Sequence, residues 1–472
     1  MRRSLFPTIL PGALALVAVA ALVVWARVEP SRRSELRVPA MDRLSDTSAA
    51  RPGLPLEGTL ERFDGRPADI PGAWPWFRGE RLDGIAHDAP PLARTWPAEG
   101  PQRLWTLELG EGYAGAAVRN GAVYVLDYLR DEQADALRRL SLADGAEIWR
   151  FRYPVAVKRN HGMSRTVPSV AERFVVSLGP KCHALSVHPE TGEEHWLIDT
   201  VEEFGATVPL WYNGQCPVID GDRVIMAVGG DALLVALDGV TGEVIWESPN
   251  PRGWVITHTS IVPIEFAGRR MYIYCGKGGV AGIDAENGDY LWDSTDWRIS
   301  IATCPSPVAL PGGRIFFSGG YNAGAVMMQL EEDAGQIVAR TLFRLGPRQF
   351  GSTHHTPIFH EGFLYGVRED DKQFVCLDLE GNEVWASGSA NQFGLGPYLL
   401  ADGLFFILDD HGKLTLAEAT PAEYRQLAEA QVLDGHESWG PMALAAGRLI
   451  LRDMTTMVCL DVREGATVTK GP

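Results

Sequence analysis

The chain has 472 residues, 46% hydrophobic and 22% charged, enough to bury a sizeable core as several domains or one large repeat domain. Its formal charge of −17 repels phosphate backbones and anionic lipid headgroups, which argues against nucleic-acid binding. Six scattered cysteines (Cys182, Cys216, Cys275, Cys304, Cys376 and Cys459) lack the C-x-x-C spacing of zinc, redox or covalent-haem sites and read as small buried hydrophobes.

Ser4 to Ala26 carries no charge and contains the apolar run Ala13 to Trp25, behind Arg2 and Arg3. A stretch of about 20 apolar residues can cross a bilayer core. Val24-Trp25-Ala26 is a poor small-x-small cleavage site, and no cysteine stands nearby for a lipid. Residues 1–27 are therefore expected to be an uncleaved membrane anchor, with a cleaved signal as the alternative. Arg27, Arg32, Arg33 and Arg37 follow the span and outnumber the leading arginines, against a simple positive-inside orientation. Export is still expected, with the folded part in the periplasm or outside the cell. Residues 28–73 hold proline and charge with little periodic apolar content and read as a linker.

From Trp74 onward the sequence repeats. Glycine precedes tryptophan by four residues at Gly145/Trp149, Gly192/Trp196, Gly242/Trp246, Gly288/Trp292 and Gly381/Trp385. In each copy an apolar run ends in a small polar cluster and a second run ends on the indole, the pattern of a β-hairpin whose glycine supplies a positive φ. Trp105, Phe343 and Leu433 fit as further copies, giving eight outer strands. Proline marks the start of each first strand at Pro168, Pro217, Pro263, Pro307, Pro357, Pro397 and Pro441, with Ala117 as the first equivalent. A period in the forties of residues predicts an eight-bladed, all-β propeller of four-stranded antiparallel blades over residues 74–472. The last unit has three evident strands after Pro441, so the strand around Leu104 to Leu109 is expected to complete it and close the ring. Pro421 to Ala430 has the composition of a helical turn but resembles a propeller link where repeats degenerate, and no function is assigned to it.

The repeat Leu-Asp-x-x-Thr-Gly-Glu-x-x-Trp, with Trp76-Phe-Arg-Gly79 and Leu109-Gly-Glu-Gly-Tyr113 near the start, resembles the pyrroloquinoline-quinone (PQQ)-like repeat propellers over about 74 to 462. That family holds the quinoprotein alcohol and sugar dehydrogenases and the non-enzymatic outer-membrane scaffold BamB. The resemblance implies the fold more than an activity, because the shared glycine and tryptophan serve blade packing. The chain has no adjacent Cys-Cys pair such as lies beside the dehydrogenases' quinone, and it lacks their large insertions. BamB is a lipoprotein, which this chain is not.

Sites in propellers gather where outer strands lead into the next inner strand. Those links are rich in polar and aromatic side chains before the recurring proline, which predicts a ligand- or partner-binding mouth of His161, Arg165, Tyr212, Gln215, His258, Thr303, His354, His355, Gln392 and Trp439. Tyr321 and Asn322 join it from a middle loop. The competing reading makes these residues caps for unpaired backbone groups and anchors for channel water. His161, His258, His354 and His355 could converge on a metal, but no carboxylate stands at a fixed offset, and no metal is expected. Asp370-Asp371 and Asp409-Asp410 read as turn residues, and no nucleophile elbow, P-loop or zincin motif occurs. Two functions remain. The first is a monomeric, non-catalytic, membrane-anchored scaffold that binds a protein or peptide and needs no cofactor. The second is a quinoprotein oxidoreductase that would use PQQ and calcium, with a carboxylate base and oxygen ligands near the quinone.

Overall fold

The computed structural model describes residues 18–19, 56–299, 301–302 and 304–466. The chain divides into two units, Met1–Arg51 and Pro52–Pro472. In the first, Ala18 and Val19 are helical and exposed; the rest of the expected anchor lies outside the described residues, as does the linker before Leu56. Among the described residues no helix is long and apolar enough to cross a membrane.

In the second unit the described strands form eight antiparallel sheets arranged as propeller blades. Blades 1 to 7 span 116–154, 169–199, 218–249, 262–294, 308–345, 358–386 and 398–431. Blade 8 joins the strands of 443–461 to Gln102–Glu108, which pairs with Thr456–Asp461. The two ends of the repeat region thus share one sheet, as expected, and no blade is left open there.

Each repeat glycine has the positive φ its turn requires, from 72° at Gly145 to 84° at Gly381. It also has a second duty. A Cβ on Gly145, Gly192, Gly242 or Gly288 would fall 2.6 to 3.1 Å from the indole of Trp105, Trp149, Trp196 or Trp246, each in the preceding blade. At Gly381 the neighbour is Phe343, at 2.7 Å. The indoles of Trp105, Trp149, Trp196 and Trp385 reciprocate, donating to the carbonyls of Leu142, Pro189, Gly239 and Thr420 in the following blade at 3.1 to 3.2 Å. Turn and tryptophan are therefore two halves of one joint between neighbouring blades. A bulge beside each tryptophan, as between Ser186 and Val187, sets its register. On the axial side, Asn120-Gly121, Ala267-Gly268, Glu361-Gly362, Asp402-Gly403 and Ala446-Gly447 have positive φ at both positions, the type I′ turns of two-residue hairpins.

Four expectations change in detail. In blade 7 the register partner of Leu416 is Ala428, so Ala428 holds the tryptophan position and Leu433 lies beyond the strand. Pro421 to Ala430 is not a helical turn: Gln426–Gln431 is the outer strand of that blade, because pairing with Lys413–Glu418 outweighs helical propensity. The inner strands of blades 4 and 1 start at Val262 and Ala116, so Ile261 and Gly115 stand where Pro263 and Ala117 were expected. Finally, Thr59–Arg62, inside the expected linker, adds a fifth strand to blade 1 beside Glu147–Pro154.

One segment does not repeat. Trp74 pairs with Val118 of blade 1, the Pro75 carbonyl accepts from Val170 of blade 2 at 2.8 Å, and Ile85–Ala86 runs parallel to Tyr398–Ala401 of blade 7. Ala93 reaches the Val462 carbonyl beyond blade 8. Between these points the Arg78 guanidinium donates to the carbonyls of Thr356 and Pro357 in blade 6, at 2.7 and 3.1 Å. Residues 74–93 therefore form a plug pinned to the inner strands of several blades.

Candidate functional site

All eight links, a middle loop and the plug converge on a cavity of about 230 Å³ on the axis. Blade by blade the links supply Tyr113; His161 and Arg165; Trp211, Gly214 and Cys216; His258 and Ser260; Ala302 and Cys304; His354 and His355; Leu395; and Trp439 with Pro441. Tyr321 comes from the middle loop of blade 5, and Phe77 from the plug.

Seven of the twelve expected residues line it: His161, Arg165, His258, Tyr321, His354, His355 and Trp439. Thr303 lies outside the described residues. The other four do different work. Tyr212 is buried, and its hydroxyl donates to the Lys158 carbonyl at 2.6 Å. Gln215 is buried against blade 3, where its amide bridges the Ala227 N–H and carbonyl at 2.6 and 3.0 Å. Asn322 is exposed, and its backbone N–H is held by Glu369. Gln392 donates to the Asp371 carbonyl. Trp211, in the link that also holds Tyr212 and Gln215, lines the cavity as well. Phe77 and Tyr113 were missed as site residues, although both lie in the opening motifs Trp76-Phe-Arg-Gly79 and Leu109-Gly-Glu-Gly-Tyr113; standing outside the repeat was the signal available.

Beneath the cavity the links are tied together. Cys216 Sγ accepts from Val167 N, Ser260 Oγ from Cys216 N, Ser306 Oγ from Ser260 N and Thr356 Oγ1 from Ser306 N, at 2.8 to 3.2 Å. Each small polar side chain satisfies the backbone of the preceding blade, so part of the polar mouth is indeed capping. The relay runs from blade 2 to blade 6 and ends at Thr356, whose carbonyl receives Arg78. In the last two links Gly396 and Gly440 precede the proline, so no side chain continues it.

The upper walls are aromatic. Tyr113 stacks on Trp439 with centroids 5.3 Å apart and an angle of 27°, and His354 meets the same indole edge-on at 4.9 Å. Arg165 lies over the Tyr113 ring at 5.7 Å and donates to the carbonyls of Gly162 and Asn160. His161, Tyr321 and Glu437 hold left-handed backbone without being glycine, at a cost of about 1 kcal/mol or more each.

Electrostatically the cavity is cationic. Burial, with Arg165 and neighbouring imidazoles adding repulsion, pushes His354 down to about 3 and His258 to about 4. Burial and Arg78 put His355 at about 4. All three rings are neutral at pH 7, and the buried Nε2 atoms of His258 and His355 have no hydrogen-bond partner. Desolvation also lowers Arg165, whose nearby acids are phenols and a thiol instead of carboxylates. Arg78 is brought to about 10 by burial. The carboxylates near the rim are engaged elsewhere: Glu437 accepts the Tyr113 hydroxyl at 2.5 Å, Asp410 the Trp439 Nε1 at 2.7 Å, and Glu369 the N–H groups of Tyr321 and Asn322.

This donor set does not suit calcium, which takes six to eight oxygen ligands: the cavity lining contains no Asp, Glu, Asn or Gln. Nor does any trio of His, Cys, Asp or Glu among the described residues have metal-binding geometry. Cys304 and Cys216 are thiols pushed up to about 11 by burial, so neither is a thiolate nucleophile at neutral pH.

The family model described as outer membrane protein assembly factor BamB matches residues 133–387, more than half of the chain. No curated protein matches the sequence. Among solved structures, BamB from Moraxella catarrhalis is 14% identical with a TM-score of 0.53, over 76% of this chain and 99% of that one. A europium-containing methanol dehydrogenase is 12% identical with a TM-score of 0.58, over 83% and 90%. The computationally designed Ika8 protein is 12% identical with a TM-score of 0.51, over 76% and 99%. A scaffold, an enzyme and a design share this architecture, so the likeness concerns the fold alone.

Proposed function

The chain belongs to the family of the outer membrane protein assembly factor BamB, and from that membership we propose that it is a non-catalytic scaffold that binds a protein or peptide partner at the loop-rich mouth of the propeller. The observation that carries this reading is the composition of the mouth. It offers aromatic faces, one arginine and neutral imidazoles, but no free carboxylate that could take a proton from an alcohol or hold calcium. The oxidoreductase alternative needs both. The proposal extends to placement: residues 1–27 anchor the scaffold in a membrane, with the propeller in the periplasm or outside the cell. It functions as a monomer and without a resident cofactor.

Two measurements test the reading. A photo-crosslinking residue at Tyr321 or His161 is expected to yield protein adducts in cells, while the same residue at Val244, exposed on the outer strand of blade 3, yields none. Purified protein given PQQ and calcium is expected to show no saturable binding and no dye reduction with simple alcohols or sugars. Alcohol-dependent dye reduction, with no adduct at the mouth, would replace the scaffold by the enzyme. Protease added to spheroplasts is expected to digest the propeller; protection until the inner membrane is lysed would overturn the placement.

A further inference from the structure

One buried cation on the axis, Arg165, has no carboxylate beside it. Against a net charge of −17, three arginines lie at or beside the cavity, and each spends its hydrogen bonds on backbone carbonyls. Arg165 binds Gly162 and Asn160, Arg78 binds Leu82, Thr356, Asp83 and Pro357, and Arg452 binds Asp453, Ala114, Gly110 and Met454. Elsewhere this chain pairs arginine with acid readily, as at Arg138 with Asp127 and Glu147. Asp83 lies near Arg78, and Asp127 and Asp453 near Arg452, whereas Arg165 has phenols and a thiol around it, so its buried charge is the one left for an anion to meet. Of the three, only Arg165 lines the cavity.

We propose that the cavity is a binding site for a small organic monoanion, a carboxylate on a flat apolar body. The carboxylate sits at the Arg165 guanidinium, the one cationic group in the cavity lining. The apolar body packs against Tyr113 and Trp439, with Phe77 as the opposing surface. Several features fit this class of ligand. Neutral imidazoles can donate to an anion without adding charge, so a single arginine calls for a single carboxylate. A cavity of about 230 Å³ suits a body of one or two rings and lies near the small end of ligand pockets. The lining offers no carboxylate to repel the ligand. The same chemistry comes in two forms: a free aromatic acid, or the C-terminal carboxylate of a peptide ending in an aromatic residue. The peptide form rests on the scaffold reading and the free-acid form does not, since an acid can bind whether or not proteins crosslink to the mouth.

Calorimetry on the purified protein tests it with phenylacetate and indole-3-acetate against their amides, with acetate, and with a short peptide ending in Phe as free acid and as amide. The acids are expected to bind at least about ten-fold more tightly than the amides, the discrimination a charge-assisted hydrogen bond supplies, and acetate to bind far more weakly. Whichever source binds more tightly, free acid or peptide, is the one the site serves. Arg165→Met is expected to abolish the preference for acid over amide, and Arg165→Lys to restore part of it. Equal binding of acid and amide would overturn the proposal, and that readout is available on the unaltered protein if Arg165→Met does not fold.

Discussion

The joints between blades and the lining of the axis are built by opposite rules. At the joints the same glycine and the same indole meet in copy after copy, with the glycine Cα against the ring and the indole N–H on the next blade's carbonyl. At the axis the side chains change from link to link among tyrosine, arginine, histidine, cysteine, leucine and tryptophan. A closed ring needs eight compatible joints, so repetition there is a packing requirement. A ligand needs asymmetry, so what varies from blade to blade carries recognition. The relay of Cys216, Ser260, Ser306 and Thr356 lies between these extremes, a repeated device within the variable region.

The contrast can be broken first at a joint. Trp149 is buried, stacks its edge on Tyr124 and holds the Pro189 carbonyl. Trp149→Ala is expected to cost about 3 to 5 kcal/mol in denaturant unfolding, the range for a buried aromatic truncated to a cavity. The same change at the exposed edge of the mouth should cost far less.

The second test uses acidity. Asp135, buried in blade 1, accepts the Tyr153 hydroxyl at 2.7 Å, has an unpartnered Oδ1, and is pushed up to about 7 by burial. A carboxyl whose folded value is raised costs stability where the unfolded chain is already ionised, so the penalty begins near pH 4 and is complete above about pH 7. Asp135→Asn is expected to stabilise the protein at pH 8 by up to about 4 kcal/mol and to change it little at pH 4. The axial histidines have the reverse sign: their folded values are lowered, so stability is unaffected above the ordinary value and falls as pH drops from about 6.5 toward 4. Thermal unfolding across pH separates the two regions, and a stabilisation by Asp135→Asn that persisted at pH 4 would contradict the buried-charge account.

A smaller effect belongs to the relay. Ser306→Ala leaves the buried Ser260 N–H without its 3.1 Å acceptor and is expected to cost about 1 to 3 kcal/mol, with ligand affinity changing less than stability. The smallest effect is at Tyr321, half-exposed on the rim. Tyr321→Ala is expected to move stability by no more than about 0.5 kcal/mol while lowering affinity for an aromatic acid, and unchanged affinity would remove Tyr321 from the site.

How much of this could be read beforehand follows the same division. Gly192 and Trp196 were legible because a tight turn demands a positive φ and the demand recurs, and the family resemblance implied that they serve blade packing; the structure adds the partner, Trp149 of the preceding blade against Gly192. Blade 7 was misplaced at Leu433 because no tryptophan marks its outer strand; Tyr424 packs on Trp385 of the preceding blade instead, at 5.9 Å. Gln215 and Arg165 occupy similar places before a proline, yet one turns into its blade and the other faces the axis, a difference decided by neighbours distant in sequence. The plug was invisible to any repeat-based reading because it occurs once. Its Phe77 reaches the cavity by lying across strands synthesised hundreds of residues later.

That placement dictates an order of events. The plug is made before any blade, yet its partners Val118, Thr356, Leu400 and Val462 are spread along the whole repeat region, and blade 8 is completed by its earliest and latest strands. The opening segment can meet blades 1 and 2 early, but its contacts beyond them and the closing of blade 8 wait for the last strands, and the cavity is complete only at that step. A ribosome that stops short of Thr456–Asp461 would release a chain with several stacked blades and no receptor.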